Sequence, residues 1–186
     1  MNIESLFNKW GIKCDVNTIL SMWNESHRHY HTLDHLNYIL EKIEHDKDKL
    51  SEKEYEMLVL TSLFHDCVYD PMKPDNEEKS ANFFENCCLT KNEETEHIKN
   101  MILETKTHKP STNLSKLFCS YDMSIINEDY DKLLEWEEGI YNEYKSYGDD
   151  DYKIGRLKFL ESLLDKEEYI GNTENLLKLM EYVKSK

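Results

Sequence analysis

Apolar residues recur at intervals of three and four along almost the whole chain, and only five glycines and three prolines interrupt 186 residues. Such spacing turns one face of a helix inward, and no apolar–polar alternation persists long enough to require a sheet. The expected fold class is therefore all-α, a single-domain helical bundle over 1–186, a length that suits one domain and can bury a substantial core. The pattern predicts helices over 2–10, 16–25, 32–47, 52–67, 76–88, 92–107, 112–121, 127–146, 150–165 and 172–184.

Several of these ends have local chemical causes. Asp15 offers a cap ahead of Ile19, Leu20, Met22 and Trp23, and Ser51 with Glu54 forms a capping box. That box opens the helix whose apolar run Met57–Phe64 ends in His65-Asp66. Pro71 and Pro74 interrupt helical hydrogen bonding, so 67–74 reads as a loop, with Asp75 capping the helix that begins Asn76-Glu77-Glu78. Gly148 before Asp149-Asp150-Asp151, and Gly171-Asn172-Thr173, mark further breaks. The charge-rich stretches at 41–56 and 91–99 read as solvated helix faces, and no internal repeat is visible.

Lysine and arginine total 23 against 38 acids, a formal balance of −15. The resulting field repels polyanions, which argues against a duplex nucleic-acid binder and against adsorption to an anionic membrane. A small phosphorylated substrate stays open, because a bound cation reverses the local potential in a pocket. Cys14, Cys67, Cys87, Cys88 and Cys119 form an odd set without a C-x-x-C pair, as in a reduced intracellular protein, and helical spacing puts Cys87 and Cys88 in the core. The start, Met1-Asn2-Ile3-Glu4, has neither a basic stretch nor a long apolar core, and no stretch of about 18 apolar residues occurs. A cytoplasmic location is the expectation. Glycine-rich phosphate loops and a G-x-S-x-G elbow are missing from the sequence. Trp10, Trp23 and Trp136 read as packing anchors.

The chemistry concentrates on His65-Asp66. An ionisable pair extending a greasy helix is costly to bury unless a charge-compensating partner, most economically a divalent metal, meets it there. Upstream, His31-Thr32-Leu33-Asp34-His35 sets two imidazoles one turn apart; on a helix both address one pocket, though both need not touch the ion. Downstream, Asp122 is embedded in Tyr121-Asp122-Met123-Ser124-Ile125-Ile126. Carboxylates from Asp66 and Asp122 with imidazoles from His31 and His65 make a mixed set suited to Mn²⁺, Fe²⁺, Zn²⁺, Co²⁺ or Ni²⁺, less so to Ca²⁺. Four protein ligands on an octahedral ion leave room for water and substrate, as hydrolysis requires.

The series Arg28-His29-Tyr30-His31-Thr32-Leu33-Asp34-His35, Phe64-His65-Asp66-Cys67-Val68-Tyr69-Asp70-Pro71 and Asp75-Asn76-Glu77-Glu78-Lys79-Ser80-Ala81 resembles the metal-dependent phosphohydrolases of the HD-domain superfamily. It is similar in particular to small HD proteins with the pattern YHxLxH … HDxxYDP … DNEExSA. The likeness runs on through Ile102-Leu103-Glu104-Thr105-Lys106-Thr107-His108 and Asp122–Ile126, and more faintly through Glu143-Tyr144 and Gly155-Arg156. The resemblance implies an HD-type bundle, metal ligands His31, His65, Asp66 and Asp122, and a divalent ion among Mn, Fe, Zn, Co, Ni and Mg. His31 rather than His35 matches the family's first ligand, which leaves His35 as a contact to that ligand or to substrate. Ser120 stands where relatives often carry another Asp, which weakens a two-metal site.

Other residues near these motifs invite roles. Asp75 and Glu78 follow the dyad loop closely enough to return to the pocket and handle protons, a cap and a first-turn acid being the competing roles. His108 stands before Lys109-Pro110 and approaches phosphate or a second metal, or else binds helix-end carbonyls. Arg28 and Lys79 are candidate phosphate contacts, and Tyr30 and Tyr69 flank the pocket. The expected function is a metal-dependent phosphohydrolase acting on a small phosphate ester such as a nucleotide, with Asp66 central to catalysis. The alternatives are a sensory HD scaffold that binds metal and nucleotide without turnover and, less favoured given Ser120, a di-iron HD oxygenase.

Overall fold

The structure, a computed structural model, describes residues 2–164, 166, 171 and 173–186. Ten α-helices occur among them: α1 (Ile3–Trp10), α2 (Val16–Trp23), α3 (Leu33–His45), α4 (Glu52–Phe64), α5 (Asn76–Cys87), α6 (Glu93–Glu104), α7 (Asn113–Asp122), α8 (Tyr130–Tyr144), α9 (Asp149–Leu164) and α10 (Thr173–Ser185). Short 3-10 turns at Lys47–Lys49, Met123–Asn127 and Lys145–Tyr147 link some of them. The described residues contain no strand, only an isolated antiparallel bridge between Ile12 and Cys88. The expected all-α class holds. The expected ends at 165 and 172, Asn172 included, lie outside the described residues.

The span expected as one domain subdivides into two compact units, Met1–Tyr121 and Asp122–Lys186. In the first, α4 is the central element, packed by α3, α5 and α6. Every residue from Tyr55 to Phe64 is buried, so α4 has no solvent stripe beyond its first turn, as expected of a helix surrounded by others. Around it gather Phe7, Ile19, Trp23, Ile39, Phe84, Ile98 and Phe118 in one continuous apolar core. Even its acid is compensated: the buried Glu56 accepts from Lys9 Nζ at 2.7 Å and from Trp10 Nε1 at 2.8 Å. The tail of α1 is pinned to the end of α5 by Lys13 N–H to Cys87 O and Leu89 N–H to Gly11 O, both 2.8 Å. Gly11 allows that turn by adopting φ 61°, a left-handed conformation that costs a residue with Cβ more than glycine.

In the second unit α10 packs on α8 and α9 around Leu133, Ile140, Leu160, Leu163, Leu176 and Leu179. Glu137 is fully buried there, accepting from Arg156 Nε at 2.7 Å and from Tyr152 Oη at 2.6 Å, and Arg156 lies over the Trp136 ring at 4.2 Å.

The local caps match the sequence in part. Asp15 accepts from Asn17 N–H at 3.0 Å, and Ser51 with Glu54 forms the expected reciprocal box at the start of α4. Asp75 does not cap α5 through its side chain; its carboxylate turns outward to Lys79 Nζ at 2.8 Å. No helix among the described residues is long and apolar enough to cross a membrane.

Candidate metal centre

The site is built on the C-terminal end of α4, which stops at Phe64, so His65 is the cap residue and Asp66 begins the loop. A helix end leaves its last carbonyls without intrahelical donors, and inside a core each needs another partner. Here they are met one by one. Thr61 O accepts from His65 N–H at 2.8 Å, Ser62 O from the His65 ring Nδ1 at 2.9 Å, Leu63 O from Trp23 Nε1 at 2.9 Å and Phe64 O from Cys67 N–H at 3.3 Å. Beyond them, Asp66 O and Cys67 O accept from the Arg28 guanidinium at 2.8 and 2.9 Å. The backbone that carries the dyad is thus held by side chains of α2 and the following turn.

The same bonds orient the ligand atoms. A carbonyl only accepts, so the Ser62 contact assigns the proton of a neutral His65 ring to Nδ1 and turns Nε2 toward Asp66, 3.3 Å from Oδ2. Ligand atoms of His35, His65 and Asp66 all lie within 4.8 Å of one another, a grouping able to hold a metal ion. His31 Nε2 stands 3.9 Å from Asp66 Oδ2. Two imidazoles and a carboxylate form the mixed nitrogen–oxygen set favoured by late first-row divalent ions, and the negative end of the α4 dipole adds to the attraction. The residues present therefore fit a divalent cation.

Aromatic rings fix the imidazoles. His35 packs against Trp23, Tyr30, His31 and His65 at centroid distances of 6.3, 4.8, 5.8 and 5.6 Å. Phe118 meets the His65 ring edge-on at 5.4 Å, and Tyr69 lies 4.4 Å from the His31 ring. The His65 side chain is sealed from solvent, whereas those of His31 and Asp66 are 18% and 14% exposed, so the cluster meets solvent on their side.

The loop after the dyad is braced from α5. Ser80 Oγ accepts from Val68 N–H at 3.1 Å and donates to Val68 O at 3.2 Å, while Asn76 Oδ1 accepts from Asp70 N–H at 3.0 Å and its amide donates to Asp70 O at 2.9 Å. The Asp70, Asn76 and Ser80 of the sequence motifs thereby give the loop its shape. On the same helix Glu77 is half-buried, and desolvation, with the Asp66 charge adding to it, pushes its carboxyl above the usual range.

The expected site residues divide accordingly. His65 and Asp66 stand together and His35 joins them in the close group, while His31 borders the group at 3.9 Å from Asp66. The reason is local: Thr32 is the N-cap of α3, its Oγ1 accepting from Asp34 N–H at 3.3 Å, so His31 lies in the turn before the helix and does not share a helical face with His35. Arg28 is not a surface phosphate contact. Its side chain is fully buried, and all five N–H donors point at protein acceptors: Glu25 Oε2 twice at 3.1 Å, His31 O at 3.0 Å, Asp66 O and Cys67 O. Glu78 faces outward, paired with Lys106 Nζ at 2.7 Å, which holds its carboxyl below the usual range, and Lys79 is engaged with Asp75.

His108 closes the turn after α6 in a left-handed conformation, φ 49°, its N–H donating to Glu104 O at 2.8 Å, and it is not part of the close group. Asp122 is the last residue of α7 and the first of the second unit. Glu77 is the acid that sequence reasoning passed over. With Ser80, Ala81 and Phe84 buried, residue 77 falls one turn ahead on the same inward face, a signal present in the spacing.

Comparison with known proteins adds no relative: no family model, no curated protein and no solved structure matches the chain.

Proposed function

We propose that this chain is a metal-dependent phosphohydrolase of the HD type, acting on a small phosphate ester such as a nucleotide, with one divalent cation at His35, His65 and Asp66. The observation that carries the reading is the meeting of these three ligand atoms within 4.8 Å at the carbonyl end of a buried helix. When bound, a divalent cation neutralises charge on a phosphoryl oxygen and acidifies water. His65, with its Nδ1 proton committed to Ser62 O, offers Nε2 in a fixed direction, and the solvent-facing side at His31 and Asp66 is where an ester would approach. Tyr30 and Tyr69 bound that approach through their ring contacts with His31. Glu77 takes the proton-handling role expected of Asp75 and Glu78: those two carboxylates pair closely with Lys79 and Lys106 at 2.8 and 2.7 Å, whereas Glu77 is more buried, stands 3.6 Å from Lys106 and feels the charge of Asp66. Asp122 enters as a further ligand on the HD resemblance alone.

The test is a panel of nucleoside mono-, di- and triphosphates and simple aryl phosphates, run with Mn²⁺-loaded wild type, Asp66→Asn and Asp122→Asn. Turnover that Asp66→Asn lowers by about a hundredfold or more, with helicity intact, is the expected result; loss in Asp122→Asn identifies it as a ligand. A cation-loaded wild type that cleaves no ester yet binds nucleotides returns the sensory scaffold, and two tightly held irons per chain return the oxygenase. Full activity in Asp66→Asn removes the proposed centre.

A further inference from the structure

We propose that Arg28 is the positioning residue of the cation site, tying the turn at His31, which leads into the helix of His35, to the loop of Asp66 so that the ligands stand ready before any ion arrives. The inference rests on the cation reading above and concerns the residue that sets its geometry. Nη1 donates to two carbonyls at once, His31 O at 3.0 Å and Asp66 O at 2.8 Å, which belong to residues 35 positions apart whose side chains approach to 3.9 Å. Nη2 adds Cys67 O at 2.9 Å, and Nε and Nη2 share Glu25 Oε2 at 3.1 Å. One rigid plane thus fixes three backbone points, on both sides of the ligand cluster.

The plane itself is clamped. Its centre lies 5.5 Å from the Trp23 ring and 5.2 Å from the Tyr69 ring, and no part of the side chain reaches solvent. A lysine in its place has the charge but not the fork: one ammonium on a flexible stem cannot hold three carbonyls in these directions. Asp66 and the turn that leads from His31 into the helix of His35 would then lose their spacing. Ligand placement must hold within about half an ångström for a site of this kind to work, so the loss falls on ion affinity.

The test uses the full chain and Mn²⁺ alone. Free Mn²⁺ is followed by electron paramagnetic resonance during titration, and the thermal midpoint is measured without and with the ion. Arg28→Lys and Arg28→Gln are compared with wild type, reading whichever keeps the wild-type helical circular dichroism. The expected result is a loss of about ten- to hundredfold in Mn²⁺ affinity, the usual effect of removing a support of a metal ligand. The rise in midpoint on adding Mn²⁺ shrinks with it, a change that a purely structural role, which lowers the metal-free midpoint alone, would not produce. Glu25→Gln keeps an acceptor for Arg28 and the three carbonyl bonds, and its partly exposed pair implies affinity within about fivefold of wild type.

Wild-type affinity in a folded Arg28 variant overturns the proposal while leaving the cation site standing. So does a loss in Glu25→Gln equal to that in Arg28→Lys, because the charge pair and not the carbonyl clamp would then set the site. If neither Arg28 variant folds, the residue serves the fold and the proposal falls. A wild type that takes up no Mn²⁺ overturns the cation reading itself.

Discussion

Trp23→Phe tests the carbonyl inventory at the end of α4. Trp23 is fully buried, its Nε1 donates to Leu63 O at 2.9 Å, and its ring lies 5.3 Å from that of His65. Phenylalanine keeps an aromatic ring there and removes the donor. A buried carbonyl stripped of its partner costs about 1–3 kcal/mol. The smaller ring leaves apolar surface unfilled, a further loss of about 1–2 kcal/mol by the area removed from contact. Together they predict destabilisation of the first unit by about 2–5 kcal/mol. With a urea slope of about 1–3 kcal/mol per molar, the unfolding midpoint followed by far-ultraviolet circular dichroism drops by at least about 0.7 M. A loss under about 1 kcal/mol would mean that Leu63 O finds another donor and that the end of α4 is not held as described.

In the second unit, Arg156→Met leaves the carboxylate of Glu137 buried without its guanidinium, a loss of about 3–5 kcal/mol in chemical denaturation. Adding Glu137→Gln should restore part of it; strictly additive effects in the cycle would show that the pair does not act as a unit. Burial pushes the Cys67 thiol up to about 12, so it stays protonated at pH 8, and iodoacetamide should modify it only after unfolding. Alkylation at the rate of a free cysteine, read by peptide mass spectrometry, would contradict that burial.

Much of the fold was legible because helices announce themselves through period and caps. Ser51 with Glu54 marked the start of α4, and the run Met57–Phe64 marked its burial. The dyad was legible too, since two ionisable groups closing an apolar run require a partner. Finer placement was less legible where one residue of register decides which way a side chain faces. Reading His31 and His35 as one helical face carried the helix back past its expected start at 32, and the cap role of Thr32 puts His31 in the preceding turn. Choosing Glu78 over Glu77 missed the inward face of α5 by one position, which on a helix is a rotation of about 100°. The clamp made by Arg28 could not be read, because its four acceptor atoms are one near carboxylate oxygen and three carbonyls, two of them almost forty residues away, and backbone groups leave no trace in side-chain patterns.

The most direct measurement is calorimetric titration of the metal-free protein with Mn²⁺, repeated for His35→Ala, His65→Ala, Asp66→Asn and His31→Ala. One ion per chain is predicted for wild type, with affinity lost by about a hundredfold or more in the first three variants and by about tenfold or less for His31→Ala. Absence of saturable binding in wild type, or wild-type affinity in any of the first three, would contradict the cation site on which the functional reading stands.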